Sequence, residues 1–380
     1  MSGVKTVSLS DIAFDDQEEQ AVLEVLRSRW LSTGAVTQSF EQELAEFVGS
    51  RHAIAVANGT AALHLAMLAI GMGPGDEVLV PSLTFVATVN AIRYTGATPV
   101  FVDIASLEDW NVSVEGLRRA VTPRTRAIVV MHYGGYPCDL TAITALAAEH
   151  DLLLVEDAAH GAGSWLAGRH VGTFGKAGCF SFFANKNLVT GEGGMVVTDD
   201  ADLAQRLRHL RSHGMTTLSW ERDRGHAFQY DVVALGYNYR FDELRSAIGR
   251  VQLRKLEGSN RRREQAWQAY AGRLTTIDRL SMPFSGSRAD SSPLSRHLMP
   301  VLLDPDVDRL ELMRRLRERG VQSSIHYPPA HLMSIHQDLA PAPLPLTEAV
   351  GRRELTLPLH PLLAEEDVDF VVEALRACLQ

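Results

Sequence analysis

Cysteine is nearly absent from this chain: three residues in 380, at positions 138, 179 and 378. Three thiols so far apart exclude a disulfide framework and any CxxC metal cluster. Positive charge is in deficit too, with 37 Lys plus Arg against 46 Asp plus Glu and a formal charge of -9. That balance speaks against broad nucleic-acid binding and against docking on an anionic membrane, since both draw on excess cations. No uncharged apolar run approaches the ~20 residues of a membrane span. Residues 1–14 lack the apolar core of a secretory signal. The expectation is a soluble cytoplasmic protein. Lysine is scarce as well: only Lys5, Lys176, Lys186 and Lys255 among the 37 basic residues. Chemistry that needs an amine therefore has few candidates.

The remaining composition, 46% hydrophobic and 22% charged, is that of a soluble globular protein. The length suits two domains or a little more. Two helices are expected over 16–28 and 40–48. Short apolar runs then alternate with helical stretches. Strands are expected at 53–57, 78–80, 99–102, 127–131, 152–155, 179–183 and 195–198, with helices at 61–70, 84–94, 114–120, 140–150 and 200–211. Such alternation predicts an α/β fold with a mostly parallel sheet covered on both faces. Ligands of such sheets bind beyond the carboxyl ends of the strands. A long helix over 242–274 leads to a smaller α+β unit: strands at 298–303 and 322–327, helices at 306–319 and 365–379. Residues 285–295 read as a Ser-rich surface loop and 341–345 as a proline-rich one. The expected division is a large domain over 1–255 and a small one over 256–380.

Lys186 carries the strongest chemical signal. It follows the aromatic strand Phe180-Ser181-Phe182-Phe183 and precedes Thr190-Gly191-Glu192-Gly193-Gly194. An amine held against apolar side chains loses solvation of its charged form, and its pKa falls. A neutral amine can then form a Schiff base with a carbonyl. The plain alternative is a solvated loop lysine. Asp157 ends the run 152–155 plus Glu156, at a strand's carboxyl end, where a carboxylate can pair with a protonated pyridine nitrogen. It could equally cap a helix. Asn58-Gly59-Thr60 lies between a strand and a helix, where free N–H groups bind phosphate, or where Thr60 is an ordinary cap. A phosphate anchor, a ring-nitrogen carboxylate and a Schiff-base lysine, in that order on one sheet, are what pyridoxal 5'-phosphate needs.

In these residues and their order the chain resembles the DegT/StrS-type nucleotide-sugar aminotransferases, a branch of the fold-type I pyridoxal-phosphate enzymes. The landmarks run nearly its whole length: Thr33-Gly34, Asn58 to Leu63, Gly75-Asp76-Glu77-Val78, Pro81 to Thr88, Glu156 to His160, Ser181-Phe182, Lys186, Gly191 to Gly194, Gly236 to Arg240, His326-Tyr327 and Leu357 to Pro361.

The resemblance implies roles. Lys186 would bind the cofactor covalently and shuttle the proton. Asp157 would pair with the ring nitrogen, while Gly59, Thr60 and Ser181 hold the phosphate. Phe85 would stack on the ring, unless it is simply core, and His160 would sit against the cofactor. Asn238 would reach the phosphate of a partner subunit in a homodimer with shared active sites, unless it is a turn asparagine. His326, Tyr327 and His331 would meet the substrate. Lys176 stands where family members often carry an acid. It is a second candidate amine, disfavoured by the glycines around it. The family's dehydratases replace the cofactor lysine by histidine, so Lys186 disfavours that branch. No metal is expected.

The implied reaction moves an amino group from an amino acid, L-glutamate by resemblance, to a nucleotide-linked keto-deoxy sugar in deoxyaminosugar biosynthesis of secondary metabolism. Asn185-Lys186-Asn187 with the following glycines resembles the C4-aminating members, acting on a dTDP- or GDP-4-keto-6-deoxyhexose. A C3 aminotransferase and a keto-inositol (aminocyclitol) aminotransferase are alternatives within the class. A non-catalytic PLP-binding regulatory protein and a structural α/β protein are alternatives outside it.

Overall fold

Apolar runs of about five residues, each bounded by turns, build the centre of the molecule. The computed structural model describes residues 5–217, 229–285, 292–339 and 342–380. Two helices, α1 (Asp16–Ser28) and α2 (Ala35–Val48), precede the first strand, β1 (His52–Val56). Then follow α3 (Gly59–Ala69), β2 (Glu77–Pro81), α4 (Val86–Tyr94), β3 (Thr98–Val102), α5 (Val114–Ala120) and β4 (Thr125–Met131). Next come α6 (Leu140–Glu149), β5 (Leu153–Asp157), the small hairpin β6 (Trp165–Leu166) and β7 (Arg169–His170), β8 (Ala177–Ser181), β9 (Gly194–Thr198) and α7 (Ala201–Arg211).

Seven of these strands form one sheet in the order β1-β9-β8-β5-β4-β2-β3. The pairs from β8 to β3 are parallel, and β9 runs against both its neighbours. Side chains alternate across the sheet. Ala55, Leu79, Ile128, Val130 and Leu154 point into one core with α2 and α6. Ile54, Val56, Val78, Val80, Val129 and Val155 point into the other with α3 and α4. This is the mostly parallel, doubly covered sheet that the sequence predicts.

A 32-residue helix, α8 (Glu243–Leu274), leads into the smaller unit. That unit holds β10 (Leu280–Ser281), β11 (Met299–Leu303), α9 (Arg309–Glu318), α10 (Pro345–Arg353), β12 (Glu354–Leu357) and α11 (Glu365–Leu379), its three strands antiparallel in the order β10-β11-β12. One helix serves two cores. Leu253 and Leu256 lie in a core of the large sheet, and Ala266, Tyr270 and Leu274 in that of the small unit. A boundary at 255/256 thus falls inside α8. The chain start crosses it too, since Val7 bridges to Val321 and packs in the small unit's core. No helix among the described residues is long and apolar enough to cross a membrane.

Four local expectations differ from the structure or fall partly outside its described residues. Helix α2 starts at Ala35, not at 40, because the buried Glu243 carboxylate caps it from α8. It accepts the N–H groups of Gly34 (2.9 Å), Val36 (2.9 Å) and Thr37 (2.8 Å), an anion at a helix N-terminus supplied from far along the chain. The strand expected at 322–327 is a single bridge from Ser324 to Thr356. The N–H of His326 donates to the Glu354 side chain at 2.8 Å instead of to a strand neighbour. The surface loop expected at 285–295 lies outside the described residues over 286–291, and its last residue, Ser295, is fully buried. The proline-rich loop at 341–345 begins outside the described residues, and Pro345 opens α10.

Candidate active site

The carboxyl ends of β5 and β8 and the start of α3 open onto a cleft of about 410 Å³, closed on the far side by His326 and Tyr327. Lys186 enters it from the turn after β8. Burial against the cleft walls lowers its ammonium to about 8, with the Asp157 carboxylate pulling the other way. The turn is anchored by the next residue. Asn187 donates to Asn260 Oδ1 (2.7 Å) and to the Ser295 carbonyl (2.5 Å), and accepts from His297 Nδ1 (2.9 Å). Every polar atom of that buried amide has a partner. This is why Ser295 is buried: its carbonyl and hydroxyl help to hold the floor of the site.

Asp157 and Glu156 are consecutive on β5 and so leave it on opposite faces. Asp157 faces the cleft. Its Oδ2 accepts from Thr88 Oγ1 at 2.7 Å and its Oδ1 from the Ala159 N–H at 3.1 Å. Thr84 lies 2.8 Å behind Thr88 and supplies the next hydrogen in line. Burial raises the Asp157 pKa; the Thr88 hydroxyl, the Ala159 amide and Lys186 oppose the shift. Glu156 points the other way, onto the N–H groups of Gly172 (2.7 Å) and Gly175 (2.7 Å) and onto His132 Nε2 (3.0 Å). Its work is structural.

At the other end of the cleft, Asn58 caps α3 by accepting the Ala61 N–H at 2.8 Å. The first-turn N–H groups at Gly59 and Thr60 have no helical acceptor. A Cβ at Gly59 would lie 2.8 Å from Ser181 Cβ, so only glycine lets this backbone pass so close to the serine. Phe85 is about half exposed at the mouth, its ring centre 5.6 Å from that of Tyr327. Asn185 Oδ1, beside Lys186, is buried with no protein partner among the described residues.

His160 lines the cleft beside Asp157. Its Nδ1 accepts the Gly134 N–H at 3.2 Å, so the ring proton sits on Nε2 and points to the Tyr327 hydroxyl at 3.0 Å. Burial, reinforced by Lys186, holds its pKa well below the usual histidine value.

Two of the expected site residues are elsewhere. His331 is buried away from the cleft, its Nδ1 2.6 Å from Ser82 Oγ and its Nε2 3.5 Å from Glu348. Asn238 is exposed and bridges Ser212 through its backbone, off its own chain's cleft. Lys176, the second candidate amine, is bound to Asp200 at 2.6 Å on the surface. Sequence reasoning missed Thr88 as the partner of Asp157, Asn187 as the anchor of Lys186, and Glu192 as a carboxylate on the cleft wall. The available signal for the first was a pair of threonines four residues apart, Thr84 just before α4 and Thr88 in its first turn.

The family model for the DegT/DnrJ/EryC1/StrS aminotransferase family matches residues 13–376. The spore coat polysaccharide biosynthesis protein SpsC of Bacillus subtilis is 42% identical over 368 residues, covering 95% of this chain and 94% of that one. The aminotransferase TlmJ from Streptoalloteichus hindustanus superposes with a TM-score of 0.91 at 38% identity, over 98% of this chain and 99% of that one. Spr1654 from Streptococcus pneumoniae, in its PLP form, does so with a TM-score of 0.90 at 26% identity, over 98% of each chain. The cleft fits that cofactor on its own chemistry. It offers a glycine-lined helix start for a phosphate, a buried carboxylate and a low-pKa amine, with an unmet acceptor on Asn185 in the same lining.

Proposed function

We propose, from the premise that the chain belongs to the DegT/DnrJ/EryC1/StrS aminotransferase family, that it transfers nitrogen from L-glutamate to C4 of a nucleotide-linked 4-keto-6-deoxyhexose. The chain is a sugar aminotransferase that depends on PLP, with the fold-type I architecture. The single observation that carries the reading of the site is Lys186, held at about 8, sharing one cleft with Asp157.

When bound, the cofactor supplies an electron-poor pyridine ring that accepts the electron pair left as a proton departs from the amine-bearing carbon. Lys186 Nζ takes that proton and returns it. An amine near pH 8 can do both. Asp157 holds a proton on the ring nitrogen, with Thr88 and the Ala159 amide fixing its carboxylate. Gly59, Thr60 and Ser181 bind the phosphate at the α3 N-terminus. Phe85 and His160, which line the cleft, would flank the ring, and His326 and Tyr327 would face the sugar.

Asn238 completes the phosphate site of a partner subunit in a symmetric homodimer. Its exposure supports this, as does the apolar surface beside it. Val232, Val233 and Leu235 are 55%, 54% and 90% exposed, next to a segment that lies off its own cleft.

The test is mass spectrometry of holoenzyme incubated with a panel of keto-sugar nucleotides and nitrogen-15 L-glutamate. The expected result is a labelled 4-amino-6-deoxyhexose nucleotide. Amination only at C3, or only of a keto-inositol, overturns the assignment.

A further inference from the structure

Glu354 and Thr356 are two residues apart on β12, so their side chains leave the strand on one face. Both meet the segment that carries His326. Thr356 Oγ1 lies 2.9 Å from His326 Nδ1 and 2.5 Å from Glu354 Oε1. Glu354 Oε2 accepts the backbone N–H of His326 at 2.8 Å. All three residues are buried. The result is a line of two hydrogen bonds from an enclosed carboxyl to the ring of a histidine. With Nδ1 turned to Thr356, that ring keeps Nε2 for the cleft, which it lines together with Lys186.

We propose that Glu354 and Thr356 are positioning residues that decide, by the placement of one proton, whether His326 presents a hydrogen-bond donor or an acceptor to the substrate at Nε2.

The donors and acceptors along this line allow two arrangements. An ionised Glu354 can only accept. Thr356 then donates to Oε1 and accepts from His326 Nδ1–H, and a neutral ring shows a bare Nε2 to the cleft. In a protonated Glu354 the hydrogen is on Oε1, because Oε2 faces the His326 N–H. Oε1–H donates to Thr356, Thr356 donates to Nδ1, and the ring hydrogen moves to Nε2. Passing from the second state to the first releases one proton from Nε2 into the cleft. The Thr356 hydrogen shifts to Nδ1, the Glu354 hydrogen shifts to Thr356 Oγ1, and the negative charge appears on Glu354.

The surroundings allow both states. Burial pushes the Glu354 carboxyl up to about 8 and the His326 ring down to about 4, so the histidine stays neutral while the carboxyl changes state. Arg309 from α9 donates to the Glu354 carbonyl at 3.0 Å and favours the carboxylate. The Tyr133 hydroxyl donates to the His326 carbonyl, Tyr327 adjoins the histidine, and Lys186 lies across the cleft and further lowers the His326 pKa. Replacing a keto oxygen by an amine expels that oxygen as water, which requires a proton at the oxygen. Nε2–H can deliver one while the charge is left on the far side of the wall. This use rests on the reading that His326 faces the sugar; the relay itself does not.

The experiment is nitrogen-15 NMR of the holoenzyme labelled on histidine, read through two-bond couplings that tell which ring nitrogen bears hydrogen, with His326→Gln assigning the signal. The wild type is expected to change from Nε2–H to Nδ1–H with a midpoint near pH 8, as the Glu354 carboxyl ionises. Glu354→Gln keeps the contact to the His326 N–H but cannot ionise, so it stays Nε2–H at every pH. Thr356→Val loses the midpoint, and Thr356→Ser restores it, which separates the relay from packing. A tautomer that is constant from about pH 6 to 10 in the wild type, or that titrates unchanged in Glu354→Gln, overturns the proposal. The readout needs no sugar turnover, so a wrong sugar assignment cannot produce that failure.

Discussion

The cleft has two walls built in different ways. The wall from the seven-stranded sheet places Asp157 at a strand end, Ser181 at another, and Gly59 and Thr60 at a helix start. Each position follows from residues within a few places of it. The opposite wall is a segment without regular structure. His326 and Tyr327 are held by Glu354, Thr356, Tyr133 and His160, between 28 and 193 residues away. The first wall can be read from contiguous motifs. The second exists only after the chain has folded, and its chemistry depends on partners that local sequence does not name.

The sharpest way to break this comparison is to move the chemistry to the wrong lysine. Lys186→Ala is expected to lower turnover by ~10³-fold or more, because both the covalent anchor and the proton carrier go. Lys176→Ala removes an exposed pair with Asp200 and should change neither turnover nor, beyond ~0.5 kcal/mol, stability. Borohydride reduction of holoenzyme followed by peptide mapping should put the label on Lys186. A label on Lys176 would reverse the assignment.

A smaller effect separates two neighbouring carboxylates. Asp157→Asn should keep the cofactor but slow transamination by roughly 100-fold or more, because a neutral amide no longer holds the ring nitrogen protonated and the electron sink is weakened. Glu156→Gln should do the reverse. It weakens contacts with two backbone N–H groups and His132, so about 1–3 kcal/mol of stability goes while turnover is kept. Steady-state rates and thermal melts on both variants decide it. A catalytic defect in the Glu156 variant at full cofactor loading would mean that strand alternation does not divide the roles.

How much of this was legible follows from the same contrast. The strands of the large sheet, helix α1, helix α11 and the cofactor face of the cleft are visible because apolar period, caps and glycines act locally. The start of α2 was not, since its cap is Glu243, some 200 residues on. Nor was the fate of 322–327, where a side chain from β12 takes the N–H that a strand would use. His331 was expected at the substrate because the family resemblance places substrate groups in this part of the small domain. Ser82 and Glu348 draw it instead to the other side of the wall. Polar residues whose partners are distant have no periodicity to announce them.

Stability against pH tests the hidden wall directly. Folding raises the Glu354 carboxyl from about 4.5 to about 8, so over that interval the folded protein holds a proton that the unfolded chain has lost. Stability is therefore greatest below the lower value and falls as pH rises through the upper one. The loss is on the order of a few kcal/mol. His326, lowered to about 4, acts in the opposite sense and only below its unfolded value near 6.5. Lys186, lowered to about 8, also acts in the opposite sense above that value, so the difference between wild-type and Glu354→Gln melting curves, in which Lys186 and the histidines cancel, isolates Glu354. Glu354→Gln should flatten the decline and melt higher than the wild type above pH 8. Parallel curves for the two proteins would show that the carboxyl is not neutral in the fold.

The smallest expected effect concerns the contributor to the cleft that we propose comes from a partner subunit. Asn238 lies on neither wall of its own subunit and is exposed beside apolar side chains. If it serves the partner's phosphate site, two crippled variants can repair each other. Lys186→Ala and Asn238→Ala are prepared separately, shown to be folded and impaired, then mixed and allowed to exchange subunits. In a mixed dimer one site carries both defects. The other joins an intact Lys186 to an intact Asn238 from across the interface. Random exchange makes about half the dimers mixed, and half of their sites are competent, so about a quarter of wild-type activity should return. If Asn238 acts within its own chain, each site of the mixed dimer carries one defect and nothing returns. Mass spectrometry of the intact dimers verifies exchange, so a null result with exchange complete removes Asn238 from the shared site.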